Sequence, residues 1–208
     1  MSVCQKIYVS HGKNILDRSL AFVAIICLSP LFLVIAVSVK LDSEGPVFFQ
    51  QDRVGLHGKI FCLLKFRTMV EDASSLGPMV TKAGDQRVTN VGLFLRRYKL
   101  DELPQLINIL AGEMSFVGPR PEIEKYVSVF SDDYKMILSV KPGLTDYASL
   151  AFKDEEKYLA QFDNMEYAYI TKVLPRKIEL YRQYLRKVSL VVDAVLILKT
   201  LFRVIVAK

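Results

Sequence analysis

One segment in the middle of the chain places two adjacent carboxylates among basic residues. Asp101 and Glu102 follow closely on Arg96, Arg97 and Lys99. A nearby cation lowers the pKa of a carboxyl group, so both acids are expected to be ionised near neutral pH. Taken alone, this segment is more typical of a helix start, where acidic residues and an early proline are common.

Two other segments add cations that suit phosphate. Lys65 and Arg67 stand on either side of Phe66, and Arg120 stands between two prolines. Flanking prolines restrict the backbone, so the Arg120 guanidinium can be aimed at phosphate oxygens at a small entropic cost. Each of these residues could equally form a structural ion pair with a buried acid. Combined with the acidic pair, they indicate anionic substrates, a divalent metal and phosphoryl chemistry.

An apolar run near the N-terminus is the element that would hold this chemistry at a membrane. From Leu20 to Val39, 20 consecutive residues carry no charge, which is enough for a helix across the roughly 30 Å hydrocarbon core of a bilayer. Lys40 and Asp42 follow directly, where a signal peptide would have small residues at its cleavage site. A buried helix of a soluble protein is the less favoured alternative.

Ser29 and Pro30 lie in the middle of this run. Proline removes a backbone donor and clashes with the preceding turn, so a kink is expected there. Lys and Arg residues flank both ends of the run, whereas a single spanning helix has a basic excess on one side only. A re-entrant helix-break-helix with both ends in the cytoplasm is therefore slightly favoured over a kinked spanning helix.

The whole chain predicts an α+β fold that is mainly helical. Its 208 residues suit a membrane-embedded hairpin over residues 1–42 and one compact catalytic domain over residues 43–208. Short β segments are expected on either side of the turn from Gly55 to Gly58, and Asp72 to Gly84 is expected to be a mobile loop.

Apolar residues at helical spacing predict two further helical regions. One runs from Leu93 to Leu110 and is broken near Asp101 and Pro104. The other begins near Ser189 and is strongly apolar. It is expected either to lie in the membrane interface or to pack on the core.

The composition points to a membrane surface and away from other partners. Hydrophobic residues make up 51% of the chain, the mean hydropathy is +0.26 and the net charge is +6. Basic charge would also suit nucleic acid, but the chain has no Lys/Arg-rich tail and no recognisable nucleic-acid module, so nucleic-acid binding is not expected. Cys4, Cys27 and Cys62 show neither disulfide nor zinc-ligand spacing.

Several motifs occur in order over roughly residues 13 to 150. They are Asp17-Arg18, Ser29-Pro30, Gly45-Pro46-Val47-Phe48-Phe49-Gln50-Gln51-Asp52-Arg53-Val54-Gly55, Lys65 to Met69, Leu100-Asp101-Glu102-Leu103-Pro104-Gln105-Leu106, Gly118-Pro119-Arg120-Pro121 and Lys141-Pro142-Gly143-Leu144-Thr145. Together they resemble the bacterial sugar transferases known as monotopic phosphoglycosyl transferases, which are undecaprenyl-phosphate sugar-1-phosphate transferases of surface polysaccharide and glycan synthesis.

The resemblance implies an enzyme of the bacterial inner (cytoplasmic) membrane whose catalytic face is cytoplasmic and whose anchor re-enters at Ser29-Pro30. It implies that Asp101 attacks the β-phosphate of a UDP-sugar, releases UMP and holds the sugar phosphate until polyprenyl (undecaprenyl) phosphate accepts it. Glu102 would assist, and Asp101 would also hold Mg²⁺. The cations implied to bind phosphate are Lys65, Arg67, Arg96 and Arg120.

Two positions depart from the family pattern. Asp146-Tyr147-Ala148 stands where many members have Gly-Leu-Ala, and Tyr181, with Glu179 nearby, stands where many have an acidic residue. No role is assigned to these residues. The identity of the sugar, the glycan pathway and a homodimer are all left open by the sequence.

Two alternatives stand beside this interpretation. A non-catalytic membrane scaffold that binds anionic lipid is disfavoured because Asp101 and Glu102 are both present with a full set of cations. A polytopic-type transferase is disfavoured because the sequence has one apolar run near its N-terminus.

Overall fold

The structure, a computed structural model, describes residues 2–73, 84–152 and 154–206. Most of the loop expected from Asp72 to Gly84 lies outside these ranges. The helices are α1 (Val3–Ile7), α2 (Lys13–Asp42), α3 (Asn90–Arg97), α4 (Gln105–Ala111), α5 (Glu124–Val129), α6 (Ser131–Ile137), α7 (Tyr147–Ala151), α8 (Glu155–Leu159), α9 (Met165–Ala168), α10 (Leu174–Lys187) and α11 (Leu190–Ile205). The strands are β1 (Phe48–Val54), β2 (Ile60–Phe66), β3 (Ser115–Val117) and β4 (Gly143–Thr145). The chain is therefore mostly helical with short strands, as the sequence predicted.

Short helical turns connect several of these elements. π-helical turns at Tyr8–Gly12 and Tyr169–Val173 join α1 to α2 and α9 to α10. A 3₁₀ turn at Leu56–Gly58 lies between β1 and β2, and another at Leu100–Glu102 lies between α3 and α4. The helical region from Leu93 to Leu110 is thus interrupted around Asp101, as predicted.

Strands β1 and β2 pair as an antiparallel hairpin, and they correspond to the short β segments predicted on either side of the glycine turn. Phe48 pairs with Phe66 at the open end, and Val54 pairs with Ile60 next to the turn. Lys65 lies one residue before the end of β2. The hairpin therefore carries this cation away from the turn and towards the loops that bear the acidic pair.

Strands β3 and β4 form a parallel pair that the sequence did not predict. Ser115 pairs with Gly143 and Val117 pairs with Thr145. The two backbone segments approach so closely that a Cβ atom on residue 143 would lie 2.1 Å from the backbone nitrogen of Gly118. Glycine is therefore needed at position 143. The pair sets the residues after Val117 side by side with the residues after Thr145.

Helix α2 contains a proline at its middle. Pro30 has no backbone N–H, so the carbonyl of Ile26, four residues earlier, lacks its usual helical donor. The Ser29 hydroxyl donates to that carbonyl over 2.8 Å. Helix is assigned to every residue from Lys13 to Asp42, so the expected break at Ser29-Pro30 does not interrupt the helix in this structure.

Both halves of α2 pack against the rest of the chain. Ala21, in the first half, is buried against β2 and α4, and Ile35 and Val39, in the second half, are buried with Phe66 and Leu95. The opposite face exposes apolar side chains, namely Phe22, Val23, Ile26, Leu33, Val34 and Val37. Among the described residues, the helical stretch Val3–Asp42 is the one long and apolar enough to cross a membrane, and only 11% of its most apolar window is buried.

Helix α11 closes the fold against the start of α2. Its Asp193 is buried, pairs with Lys13, and accepts hydrogen bonds from the hydroxyls of Tyr8 (2.8 Å) and Tyr184 (2.9 Å). Leu196 on the same helix is fully buried, whereas Val191 is exposed. The expected packing on the core is therefore confirmed for one face of this helix. Another face presents apolar side chains outward, and its placement in the membrane interface stays a prediction.

Candidate active site

A backbone reversal positions the acidic pair. Helix α3 ends at Arg97, and Lys99 then adopts left-handed dihedral angles (φ 56°, ψ 22°), which turn the chain into the 3₁₀ turn Leu100–Glu102. A non-glycine residue in this region costs on the order of 1–3 kcal/mol and persists only where its surroundings require it. The reversal buries Asp101 and Glu102, whose exposed fractions are 7% and 8%.

Two cations bind the Glu102 carboxylate. Lys65 Nζ lies 3.2 Å from Glu102 Oε1, and Arg120 donates from both of its terminal nitrogens, to Oε2 over 3.2 Å and to Oε1. Burial by itself would raise the pKa of Glu102. The charges of Arg120 and Lys65 outweigh burial and hold this pKa well below its usual range. Glu102 is therefore a fixed anion at neutral pH.

The Asp101 carboxylate is held differently. Its Oδ1 atom is buried and has no hydrogen-bond partner among the described residues. Burial raises the pKa of Asp101, Lys65 opposes the rise, and the neighbouring charge of Glu102 adds to it. The expectation of a lowered pKa is thus confirmed for Glu102 and wrong for Asp101, because burial outweighs the cations at Asp101. A buried acceptor oxygen without a partner is costly, so this atom is a candidate for binding a cation or for attacking an electrophile.

Arg96 lies at the edge of the same site. Its Nε donates to the Thr68 hydroxyl over 2.9 Å, and its NH1 lies 3.5 Å from Glu156 on α8. Its positive charge lowers the pKa of Asp101, against the larger effect of burial. The structure thus gathers three of the four predicted cations, Lys65, Arg96 and Arg120, around the acidic pair.

Arg67 is not brought to the acidic pair. Its guanidinium donates to the backbone carbonyls of Ser43, over 2.8 Å, and Glu44, and it is only 5% exposed. Strand β2 ends at Phe66, so the alternation that puts residues two apart on one face no longer relates Arg67 to Lys65. In this structure Arg67 binds the chain just after α2, and its predicted phosphate role stays a prediction.

Comparison with known proteins gives the family. The model of the family described as "Bacterial sugar transferase" matches residues 8–207, nearly the whole chain. The chain belongs to the bacterial sugar transferase family. The site assembled above lies wholly inside the matched region.

Named members of the bacterial sugar transferase family align over most of this chain. A UDP-glucose:undecaprenyl-phosphate glucose-1-phosphate transferase of Xanthomonas campestris pv. campestris is 38% identical over 203 residues, 95% of this chain and 40% of its own length. An Aeromonas hydrophila UDP-N-acetylgalactosamine-undecaprenyl-phosphate N-acetylgalactosaminephosphotransferase is 36% identical over 93% of this chain and 43% of its own length. The exopolysaccharide production protein ExoY of Sinorhizobium fredii is 33% identical over 91% of this chain and 84% of its own length. This chain therefore spans about two fifths of the first two relatives.

One carboxylate oxygen of the acidic pair has the chemistry of a magnesium ligand. Within the described ranges, no three acidic, histidine or cysteine side chains cluster so as to hold a metal by themselves. Mg²⁺ in phosphoryl-transfer sites, however, keeps several waters and is bound by one or two carboxylates together with substrate phosphates. The partnerless Oδ1 of Asp101 is a suitable protein ligand for such an ion.

Asn108, which received no role from the sequence, links the elements that carry the site. Asn108 accepts from the backbone N–H of Leu64 (3.1 Å) and donates to the carbonyl of Cys62 and to Glu113 (2.7 Å each). It thereby fixes β2, which carries Lys65, to α4, which follows the acidic pair. The residue was visible in the sequence as a polar position within an apolar helix, and it is only 2% exposed.

Proposed function

We propose that this chain transfers a sugar 1-phosphate from a UDP-sugar to undecaprenyl phosphate and releases UMP. One observation carries the proposal: the buried Asp101 oxygen has no partner among the described residues, while its neighbour Glu102 is bound by Lys65 and Arg120. One carboxylate is thus available for chemistry and the other is committed to organising cations. The relatives that are named as undecaprenyl-phosphate sugar phosphotransferases support this reaction class.

In the proposed first step, Asp101 is the nucleophile. A carboxylate oxygen of Asp101 attacks the β-phosphorus of the UDP-sugar, and the bond from that phosphorus to the bridging oxygen of UMP breaks. UMP leaves with the electron pair, and the sugar phosphate stays on Asp101 as an acyl phosphate. No proton is transferred in this step, so the reaction needs positioning and charge stabilisation above all.

In the proposed second step, the acceptor reverses this attachment. A phosphate oxygen of undecaprenyl phosphate attacks the same phosphorus, and the bond to Asp101 breaks to restore the carboxylate. The product is undecaprenyl diphosphate sugar. A covalent intermediate lets one site handle two bulky anionic substrates in turn.

The remaining residues of the site neutralise or position charged groups. Lys65 and Arg120 neutralise Glu102 in the free protein and can share their donors with substrate phosphates, because each has N–H groups beyond those used on Glu102. Glu102 keeps these cations in place and does not carry a proton, since its pKa is held well below its usual range. Asp101, together with substrate phosphate oxygens, would hold Mg²⁺, and the bound ion would supply further neutralisation of the diphosphate.

We also propose that α2 re-enters the cytoplasmic membrane and that the catalytic face is cytoplasmic. The support is that both ends of α2 are tied to the same catalytic domain: Arg18 donates to the carbonyl of Ala111 over 2.8 Å, and Asp42 accepts from the N–H of Val91 over 2.9 Å. Both halves of α2 also pack against this domain, so a full crossing of the roughly 30 Å hydrocarbon core would carry these contacts into the bilayer. The exposed apolar face between these ties suits lipid.

The decisive experiment is a single-turnover test without acceptor. The protein is incubated with Mg²⁺ and, in turn, UDP-glucose, UDP-N-acetylgalactosamine and other UDP-sugars. With the correct donor, up to about one equivalent of UMP should be released, and the protein mass should rise by one sugar phosphate located on Asp101. Asp101→Asn should abolish both signals, while Asp132→Asn, at an exposed acid on α6, should leave them unchanged.

Two outcomes would contradict the proposal. If UMP appeared only with undecaprenyl phosphate and no adduct formed, direct displacement would replace the two-step scheme. If no UDP-sugar released UMP under any condition, the scaffold that binds anionic lipid would be favoured instead.

A further inference from the structure

The short segment that carries Arg120 offers a single backbone donor. Pro119 and Pro121 have no N–H, so Arg120 alone in this tripeptide can donate from its backbone. That N–H donates to Oδ2 of Asp146 over 3.0 Å. Two residues before Arg120, Gly118 donates to the carbonyl of Thr145 over 3.0 Å. The bond to Asp146 therefore continues the parallel pairing of β3 and β4 by one further bond, made by a side chain.

Asp146 is committed to this arrangement on both of its oxygens. Its exposed fraction is 0%, and its second oxygen, Oδ1, accepts from the N–H of Ser149 as the N-cap of α7. A fully buried carboxylate is costly unless its oxygens are hydrogen-bonded. The two backbone donors therefore fix the Asp146 side chain, and the side chain in turn fixes the two backbone segments to each other.

The Arg120 side chain leaves this segment towards the acidic pair. Proline restricts the φ angle of Pro119 and Pro121, and the residue before a proline is held in an extended conformation. The peptide plane between Pro119 and Arg120 is the remaining freedom, and the bond from Arg120 N–H to Asp146 sets it. The guanidinium then reaches both oxygens of Glu102.

We propose that Asp146 is a positioning residue for Arg120, whose backbone it holds so that the guanidinium meets Glu102 and the substrate phosphate. This inference rests on the phosphate-binding role proposed for Arg120. It assigns a function to a position at which the chain departs from the glycine of many family members.

The test separates this bond from the helix cap. Asp146→Ser keeps an N-cap residue for α7, but its single oxygen cannot serve Ser149 and Arg120 together. Asp146→Asn likewise retains one acceptor oxygen in place of two. Each is expected to lower kcat/KM for UMP release and the affinity for UDP by about tenfold. Asn164→Ala removes an N-cap bond from α9, far along the chain, and should change neither quantity.

A double-mutant cycle shows whether Asp146 acts through Arg120. In the Arg120→Ala background, Asp146→Ser should change kcat/KM and UDP affinity by less than about twofold, because the side chain that it positions is already gone. Full additivity of the two changes would mean a general structural role and would overturn the inference. So would an Asp146→Ser variant that matched the unsubstituted protein in both quantities.

The same measurements distinguish failure of the proposed function. If Arg120→Ala itself kept normal UDP affinity and turnover, the phosphate role of Arg120 and the inference would both be overturned. Failure of the unsubstituted protein to bind UDP would overturn both as well. If Arg120→Ala were impaired and Asp146→Ser were not, only the positioning role would be lost.

Discussion

At the scale of single residues, the site is organised by an excess of positive charge around two unequal acids. Three cations, Lys65, Arg96 and Arg120, surround Asp101 and Glu102. Glu102 neutralises part of this charge in the free protein, and the remainder suits incoming phosphate. The acids differ because Glu102 is paired and Asp101 is buried with one oxygen left without a partner among the described residues.

The raised pKa of Asp101 makes activity sensitive to Lys65. Burial raises this pKa above the ordinary aspartate value of 3.8, and Lys65 is the strongest influence that lowers it. A nucleophilic Asp101 must be ionised, so activity is lost as the pH falls through its pKa. Lys65→Gln removes the opposing cation, raises the Asp101 pKa further and should move the acidic limb of the kcat profile for UMP release to higher pH.

Two variants serve as controls for this pH prediction. Lys65→Arg keeps the charge and should leave the acidic limb where it is. Lys59→Gln removes an exposed charge from the same hairpin and should also leave it in place. An acidic limb that did not move in Lys65→Gln would contradict the assignment of the titrating group to Asp101.

The sequence predicted which residues gather at the site better than it predicted their individual partners. Asp101, Glu102, Lys65, Arg96 and Arg120 are gathered as expected, because they belong to motifs whose order along the chain carries the information. Arg67 belongs to the same motif as Lys65 but turns to the carbonyls after α2. Such a choice depends on where a strand ends, which residue type and spacing do not determine.

At the scale of elements, long-range backbone pairing was beyond the sequence. The hairpin of β1 and β2 was predictable because its strands are local and flank a glycine turn. The pair β3 and β4 has three residues per strand and joins segments 28 residues apart at Ser115 and Gly143, too short for a period of two to be visible. The hydrogen bond between Arg120 and Asp146 depends on this strand pair, so the sequence could not predict it either.

The left-handed residue Lys99 allows an element-scale prediction. The left-handed conformation costs roughly 1–2 kcal/mol for residues other than glycine, and more for β-branched ones. Lys99→Gly should therefore be more stable than Lys99→Val by about 1–2 kcal/mol, measured as thermal unfolding in one detergent. Both variants lose the same ammonium group, so the comparison cancels the charge.

A helical lysine supplies the matched comparison for Lys99. Lys135 lies in α6 and is largely exposed. There the order should reverse, since glycine is a poorer helix former than valine. Equal stability of the two Lys99 variants would mean that the chain reversal before the acidic pair does not need the left-handed conformation.

At the scale of the whole molecule, α2 packs along the rest of the chain and is bound to it near both of its ends. Its start is tied to α11 through Lys13 and Asp193, and its end is tied to α3 through Asp42 and Val91. Separating either end from the domain would break a set of buried contacts, among them the ion pair of Lys13 with Asp193. Removing one partner of such a buried pair costs about 3–5 kcal/mol. Some of the basic residues that flank the apolar run, namely Lys13 and Arg18, therefore also stabilise the fold.

This arrangement predicts that both ends of α2 face the same side of the membrane. Cysteines are introduced singly at Ser10, before α2, and at Glu44, after it, in a background in which Cys4, Cys27 and Cys62 are replaced by alanine. Both new cysteines should react with a membrane-impermeant thiol reagent in inverted vesicles and not in right-side-out spheroplasts. A third cysteine at the exposed Asp132 of α6 reports the side of the catalytic domain and should behave identically.

The outcome discriminates between the two forms that the sequence left open. Labelling of the Ser10 and Glu44 positions from opposite sides would show a spanning helix, and one set of ties, at Lys13 or at Asp42, would then have to be absent in the membrane. Labelling of all three positions from the cytoplasmic side would support re-entry.

Pro30→Ala restores a donor to the Ile26 carbonyl and removes the proline clash, so it should shift part of the population towards spanning. If Pro30→Ala changed nothing while both ends stayed cytoplasmic, the ties to the domain, and not the proline, would determine the topology.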